Sequence, residues 1–303
     1  MTGGDFVLNK TNVLFIVNTR KTIPESSVSA LIKIFSRRGV GIFAFDTARE
    51  MMERAGVIGN VTLISENSYP ENVSFAVVFG GDGSIIRAAS LLCRRDVPMV
   101  GVNFGAVGYL AELESEDIAE LERILDGDYE LDVRMMLDAE IIGSDGVVKY
   151  TLTALNDIVL SNGPVANLLS FDLFCDGVRL RNYRADGVIA ATATGSTAYS
   201  LSAGGPILDP SLSAVCVTPI CPHSLESRPA VLNGDSVIEL CSIQCRKNSV
   251  YVTADGSEGV RLDDGDTVKI SRSSLTTRLI RLKSNGFLEV LRNKLTGPET
   301  SLN

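Results

Sequence analysis

Two halves of different build are predicted for this 303-residue chain, an α/β half with a parallel sheet and then an all-β sandwich. Three observations carry that reading. Up to residue 127, short apolar runs alternate with stretches whose apolar residues recur at helical spacing. From Tyr129 to Ile141 every odd position is apolar and every even one charged except Met136, a period of two that marks a long, half-buried antiparallel strand. Beyond it, strand-like runs follow one another as far as residue 283. The divisions fall at 1–127, 128–283 and 284–303.

In the first half, Val13 to Val17 is an apolar strand, and residues 27–38 follow as a helix with Val28, Leu31, Ile32 and Phe35 on one face. Residues 41–45 make a second strand, 47–54 a helix and 61–64 a weaker strand. The run 75–79 is a buried strand that leads straight into Gly80-Gly81-Asp82-Gly83. Residues 84–95 are helical, with Ile85, Ala88, Ala89 and Leu92 on one face, and 98–102 is again a strand. Ser115 reads as an N-cap, with Glu116 and Asp117 in the first turn and Ile118, Leu121 and Leu125 behind them. Strands alternating with helices call for a parallel sheet covered on both faces.

In the second half, Asp145-Gly146 and Asp176-Gly177 separate apolar runs and read as hairpin turns. Strands are expected at 213–218, 236–242, 249–254 and 267–271. A last helix at 286–295, with Phe287, Leu288, Leu291 and Leu295 on one face, is expected to pack on the N-terminal domain.

Composition bounds the function. Hydrophobic residues at 45% and charged residues at 21% describe a globular chain. A net charge of −9 argues against a nucleic-acid binder or a partner of anionic membranes, while leaving room for a local basic pocket that takes a nucleotide. No apolar run reaches the roughly 18–20 residues of a membrane helix. The opening MTGGDFVLNK lacks the basic flank and apolar core of an export signal, so a cytoplasmic protein with reduced cysteines is expected. Cys216/Cys221 and Cys241/Cys245 do not match zinc-ribbon spacing, and apolar packing is their reading.

Three segments carry chemistry. Gly80-Gly81-Asp82-Gly83-Ser84 joins a strand to a helix, where glycines let a phosphate approach the backbone and helix amides meet the anion. A carboxylate there repels phosphate, so Asp82 is either a base for a hydroxyl nucleophile or the cap of the helix. The loop is neither Gly-x-Gly-x-x-Gly nor a Walker sequence. In the second segment, hydroxyls crowd between Thr192 and Ser200, ahead of Gly204-Gly205-Pro206. They form a polar ligand surface or cap a short helix. The third segment is Asn156-Asp157, which interrupts a run that otherwise wants burial, either at a bulge or to reach a ligand.

Together with Asn103-Phe-Gly105, Gly108-Tyr-Leu-Ala111, Thr218-Pro-Ile-Cys-Pro-His-Ser-Leu225 and Asp255-Gly256, these segments resemble the NAD kinase family, over most of the chain. The block from Thr194 to Pro206 is the most specific, because lipid kinases and phosphofructokinases carry loops similar to the first. The resemblance implies a Rossmann-like N-terminal domain and a C-terminal β-sandwich. It implies transfer of the γ-phosphoryl group of ATP, or of polyphosphate in some members, to the 2′-hydroxyl of the adenosine ribose of NAD, giving NADP. A divalent ion such as Mg²⁺ and a homodimer or homotetramer belong to the same implication.

Carried over residue by residue, the resemblance makes Asp82 the catalytic base. It places Asp82 itself, with Gly83, Arg87, Asn156, Asp157, Asn167, Arg184, Asp186, Thr194, Thr197, Ala198, Tyr199, Ser200 and Ser202, at the NAD site; no metal ligand is assigned. The chain departs from the family pattern at Asp157, where Glu is usual, at Ala193, where Pro is common, and at Ser257, where Gln is frequent. The single histidine, His223, is placed by the resemblance near the site as structure. Two other readings compete. A lipid kinase would need an apolar channel and a basic membrane face, against a net charge of −9. A non-catalytic NAD(P) sensor would have no use for an intact Asp82.

Overall fold

A computed structural model describes residues 11–18, 23–66, 68–70, 72–105, 108–163, 168–244, 250–283 and 287–296, with side chains through 294 in the last segment. The chain divides into two units, one comprising residues up to Asp132 together with those from Arg278 onward, the other Val133–Thr277.

The first unit is α/β. Its elements are β1 (Asn12–Val17), α1 (Glu25–Arg37), β2 (Gly41–Phe45), α2 (Arg49–Arg54), β3 (Thr62–Ile64), β4 (Phe75–Phe79), α3 (Asp82–Leu92), β5 (Met99–Asn103) and β6 (Leu113–Glu114). The strands pair in parallel in the order β5-β4-β1-β2-β3, and β6 pairs with β5. β4 and β5 are buried at every position, as strands covered on both faces must be. Val28, Leu31, Ile32 and Phe35 form the buried face of α1, and the Phe35 ring meets Phe75 edge-on at 6.0 Å.

One stretch departs from the expected α-helix. Ser115–Asp126 is a run of 3₁₀ turns that begins at Ser115 with no side-chain cap. Its buried residues Ile118, Leu121 and Ile124 recur at every third position, the repeat that lines one face of a three-residue turn.

The second unit is all β. It is built from β7 (Glu130–Ile142), β8 (Val148–Ala154), β9 (Asp157–Asn162), β10 (Leu169–Cys175), β11 (Val178–Ala185), β12 (Gly187–Thr192), β13 (Ala214–Ile220), β14 (Ala230–Asn233), β15 (Ile238–Gln244), β16 (Val250–Ala254), β17 (Val260–Arg261) and the start of β18 (Thr267–Arg281), with one short helix, α4 (Tyr199–Ser202). One sheet runs β11-β10-β15-β18, with β7 on β18 and β8 on β7; the other runs β14-β13-β12-β9-β16-β17. Leu137, Phe171, Leu240 and Val268 of the first sheet share a core with Ile158, Val188, Val217 and Val252 of the second.

The period of two in β7 predicts burial only in part. Leu137, Ala139 and Ile141 are buried, whereas Leu131 and Val133 are exposed. β8 pairs with β7 only from Leu137 onward, so the covering hairpin ends where the exposure begins. Asp176 and Gly177, with φ of +50° and +77°, make the tight β10–β11 turn.

The chain re-enters the first unit along β18, whose Leu279 pairs in parallel with Met99 of β5. The helix α5 (Phe287–Thr296) follows. Phe287 packs on the Tyr109 ring at 6.2 Å and Lys294 Nζ lies 4.7 Å over that ring, while Leu288 stays exposed. Gly286, expected as the first residue of this helix, lies outside the described residues. Among the described residues no helix is long and apolar enough to cross a membrane.

Candidate functional site

In the first unit the site begins where β4 stops. The chain turns at Gly80, whose φ is +154° and where a Cβ would lie 2.3 Å from Ser84 Oγ; only glycine serves here. Gly81 stands ahead of α3 without a side-chain cap, and Asp82 is the first helical residue.

Asp82 is not the cap of its helix. Its carboxylate turns to a segment far along the chain, where the Tyr109 N–H donates to Oδ2 at 2.8 Å and the Leu110 N–H to Oδ1 at 3.0 Å. Gly108 makes room for it, because a Cβ there would sit 2.1 Å from Oδ1. Each carboxylate oxygen takes one amide and keeps further acceptor capacity.

The holding segment is itself pinned. Arg281 Nη1 donates to the Leu110 carbonyl at 3.3 Å and pairs with Glu112 at 3.0 Å, while Glu112 also accepts the N–H groups of Leu282 and Lys283, both at 2.7 Å. Burial, and then the Asp82 charge, pushes the Tyr109 phenol up. Asn18 Nδ2 donates to Ser84 Oγ at 3.0 Å, fixing the start of α3. Gly83 and Arg87 are exposed beside the loop. The arrangement can offer backbone amides and one guanidinium to phosphate, and one oriented carboxylate to a hydroxyl.

In the second unit, the turn between β8 and β9 carries Asn156 and Asp157. The Thr192 N–H donates to the Asn156 carbonyl at 2.8 Å, Thr192 Oγ1 donates to the Leu155 carbonyl at 2.6 Å, and the Gly195 N–H donates back to Thr192 Oγ1 at 3.0 Å. A Cβ on Gly195 would lie 2.1 Å from the Asn156 carbonyl oxygen, so the hydroxyl-rich block rests directly on this turn.

Asn156 Oδ1 is buried with no hydrogen-bond partner. Burial, and then the charge of Asp255, pushes the Asp157 carboxyl up to about 7. The buried Arg134 donates to Thr194 Oγ1 at 3.0 Å.

Most hydroxyls of the block have internal partners. Ser196 Oγ donates to the Ala193 carbonyl at 2.7 Å and accepts from the Leu208 N–H at 3.0 Å. Thr197 Oγ1 reaches the Thr194 carbonyl at 3.3 Å, and Ser200 Oγ is 2.9 Å from Thr218 Oγ1. Tyr199 and Ser202 are exposed and Ala198 is half-buried.

Two family models match the chain: the ATP-NAD kinase N-terminal domain over residues 13–129 and the ATP-NAD kinase C-terminal domain over residues 155–282. The chain belongs to the NAD kinase family. The NAD kinase of Symbiobacterium thermophilum is 38% identical over 284 residues, covering 93% of this chain and 98% of that one. The NAD kinase of Syntrophotalea carbinolica is 42% identical over 229 residues, 75% of this chain and 80% of that one. Yeast NADH kinase complexed with NADH superposes with a TM-score of 0.85 at 26% identity, covering 97% of this chain and 90% of that one. An NAD kinase from Archaeoglobus fulgidus in complex with ATP gives 0.69 at 26% identity, covering 94% and 98%.

For a member of the NAD kinase family, the expected site residues fall into groups. Asn156, Asp157 and Thr194 come together around the β8–β9 turn, with Thr197 to Ser202 on the chain that follows. Arg184 and Asp186 do not join them. Asp157 faces Ala191 on β12, whereas Asp186 adjoins Gly187 at the other end, four ladder positions away, or about 13 Å of strand. Asn167 lies outside the described residues.

Sequence reasoning missed Arg134 and the 108–110 segment as structural partners. Arg134 looked like one more charge on the polar face of β7, and its contact with Thr194 is distant in the chain. Among the described residues, Cys93, Cys175, Cys216, Cys221 and Cys241 form no disulfide.

Proposed function

We propose that this enzyme transfers the γ-phosphoryl group of ATP to the 2′-hydroxyl of the adenosine ribose of NAD, giving NADP and ADP, with Asp82 as the general base. The observation that carries the proposal is the Asp82 carboxylate, set at a glycine loop and oriented by two backbone amides at 2.8 and 3.0 Å. The hydroxyl passes its proton to a free lone pair of Asp82 as its oxygen bonds to the γ-phosphorus. The bond from that phosphorus to the β,γ-bridging oxygen breaks, and ADP leaves. Such a transfer depends mainly on positioning and on stabilising charge. The amides at the start of α3 and Arg87 serve the phosphates, and the Asn156–Asp157 turn with the 194–202 block serves the dinucleotide. The solved relatives with NADH and with ATP support both ligands as substrates of this fold.

Among the described residues no group of three or more His, Cys, Asp or Glu is placed to hold a metal ion. Mg²⁺ does not need such a cage, since it binds through substrate phosphates and one or two carboxylates while keeping several waters. Asp82 is the carboxylate at the phosphate loop that fits this mode. When bound, the ion neutralises charge on the transferring phosphates. The same reading takes the enzyme as a cytoplasmic homodimer or homotetramer.

The test is a direct assay. Purified protein with ATP, Mg²⁺ and NAD forms a product that an NADP-specific dehydrogenase reduces, and ³¹P NMR shows a new 2′-monoester. NADH, and polyphosphate in place of ATP, define the range of acceptor and donor. Binding of NAD without any NADP formation would make the chain a sensor and overturn the proposal.

A further inference from the structure

Asp255 stands just after β16 with a φ of +51°, a left-handed backbone that a non-glycine residue adopts at a cost. What it gains there is specific. Its Oδ2 accepts the Leu155 N–H at 2.7 Å, and its Oδ1 accepts the N–H groups of Asn156 at 2.7 Å and Asp157 at 3.1 Å. Its own N–H donates to the Asp157 carbonyl at 3.0 Å. One carboxylate therefore fixes three consecutive amides of the β8–β9 turn, from a position about a hundred residues away in sequence. Thr192 holds the other side of the same turn through the carbonyls of Leu155 and Asn156.

The backbone of this turn is tied at nearly every polar group, while the Asn156 side-chain amide oxygen is not. Asn156 is 8% exposed and its Oδ1 has no partner. Asp157 is 5% exposed, and its carboxyl is driven toward the neutral form by burial first and by the Asp255 charge second. Leaving buried polar side chains unsatisfied is costly, and such exceptions concentrate where a ligand completes the set. A rigid backbone under the unsatisfied Asn156 amide and the buried Asp157 carboxyl is the support that a binding constellation needs.

We propose that Asp255 is a positioning residue of the nucleotide site: its carboxylate holds the 155–157 backbone so that the side chains of Asn156 and Asp157 meet the substrate. This rests on the reading that these two residues contact NAD. A residue that merely closed the β16–β17 hairpin would affect stability and nothing else.

The experiment uses the full chain and NAD as the probe. Asp255→Asn keeps one acceptor oxygen and turns an NH₂ toward backbone N–H donors. It is expected to weaken NAD binding by calorimetry about tenfold, the order of one charge-assisted hydrogen bond, with a smaller change in kcat. Thermal unfolding is recorded alongside. A lowered Tm with NAD affinity unchanged below the transition would overturn the proposal.

Asp255→Ser, which keeps a smaller acceptor, replaces the Asn variant if that one does not fold, and the same weakening is expected. A double-mutant cycle with Asn156→Ala then separates the two layers. Coupled, non-additive losses of NAD affinity are expected if Asp255 acts through Asn156, and additive losses overturn it. If Asn156→Ala and Asp157→Asn both bind NAD as the wild type does, the contact assignment fails first, and the positioning role falls with it.

Discussion

Asp82 in the first unit and Asp255 in the second are both aspartates gripped by backbone amides, yet they are gripped for opposite ends. Asp82 takes two amides, one on each oxygen, and remains half-buried beside the exposed Gly83. Asp255 takes three amides in a buried turn. Its carboxyl is shifted up by burial, against the pull of those three amides. The first retains acceptor capacity for a passing proton; the second is consumed in holding its neighbours. A carboxylate oriented by amides is therefore not by itself a catalytic signature. What separates a reacting carboxylate from a positioning one is the capacity left over and the side it faces.

The sharpest break in that comparison is Asp82→Asn. The substitution removes the base and the charge and leaves one of the Tyr109 and Leu110 amides without a good acceptor. A positioned base is worth about 10²–10⁴-fold, and a fall in kcat of that size is expected. NAD affinity should stay within about tenfold, or 1.4 kcal/mol. NADP formation and calorimetry on folded protein check it. Turnover near the wild-type rate would reduce Asp82 to a tether for the 108–110 segment.

Asp157 probes the buried side. Its folded value of about 7 stands above the ordinary 3.8. A carboxyl raised on folding stabilises fully below its unfolded value, and that contribution is lost as pH rises through the folded one. The window is therefore about pH 4 to 7. Asp157→Asn carries no such titration. Its stability relative to the wild type should climb across this window by roughly 3–4 kcal/mol, because each tenfold difference in proton affinity between folded and unfolded chain is worth about 1.4 kcal/mol. Urea unfolding of both proteins from pH 4 to 8 measures the difference. A difference that does not change with pH would mean that Asp157 is ionised in the folded protein.

How far this was legible in the sequence depends on how local each signal is. Period and apolar runs give β1, β4, β5 and the face of α1, because burial of a strand or helix face is written into adjacent residues. The Gly80–Gly83 loop is legible for the same reason. That Asp82 is not a helix cap was not legible, since its partners lie 27 and 28 residues away. The Asp255 grip spans about a hundred residues and shows no local pattern at all. Between Thr192 and Ser200, sequence counts hydroxyls but cannot tell those spent on internal bonds, such as Ser196 and Ser200, from those facing outward. Arg134 had the parity of a solvent-facing residue, yet it is buried and donates to Thr194, sixty residues on.

The smallest expected effect is also the one that best separates chemistry from placement. Gly108→Ala keeps the Asp82 carboxylate and its charge but puts a methyl group where Oδ1 now lies, 2.1 Å from the ideal Cβ position. Gly108 does not have a left-handed backbone, so alanine adds bulk without backbone strain. The carboxylate must move by about an ångström or lose the Leu110 amide. Misplacement on that scale costs up to about a hundredfold in rate, and because the base survives, the expected loss in kcat is nearer tenfold, below that of Asp82→Asn. The KM values for ATP and NAD should hold within a factor of about two, since Gly83, Arg87 and the Asn156–Asp157 turn are left as they are. Combining the two substitutions should cost no more than Asp82→Asn alone, because displacement has no effect once the base is gone. If Gly108→Ala turns over at the wild-type rate, the two-amide grip does not set the position of Asp82. If the double variant falls far below Asp82→Asn, Gly108 serves the reaction by a route other than the carboxylate it now accommodates.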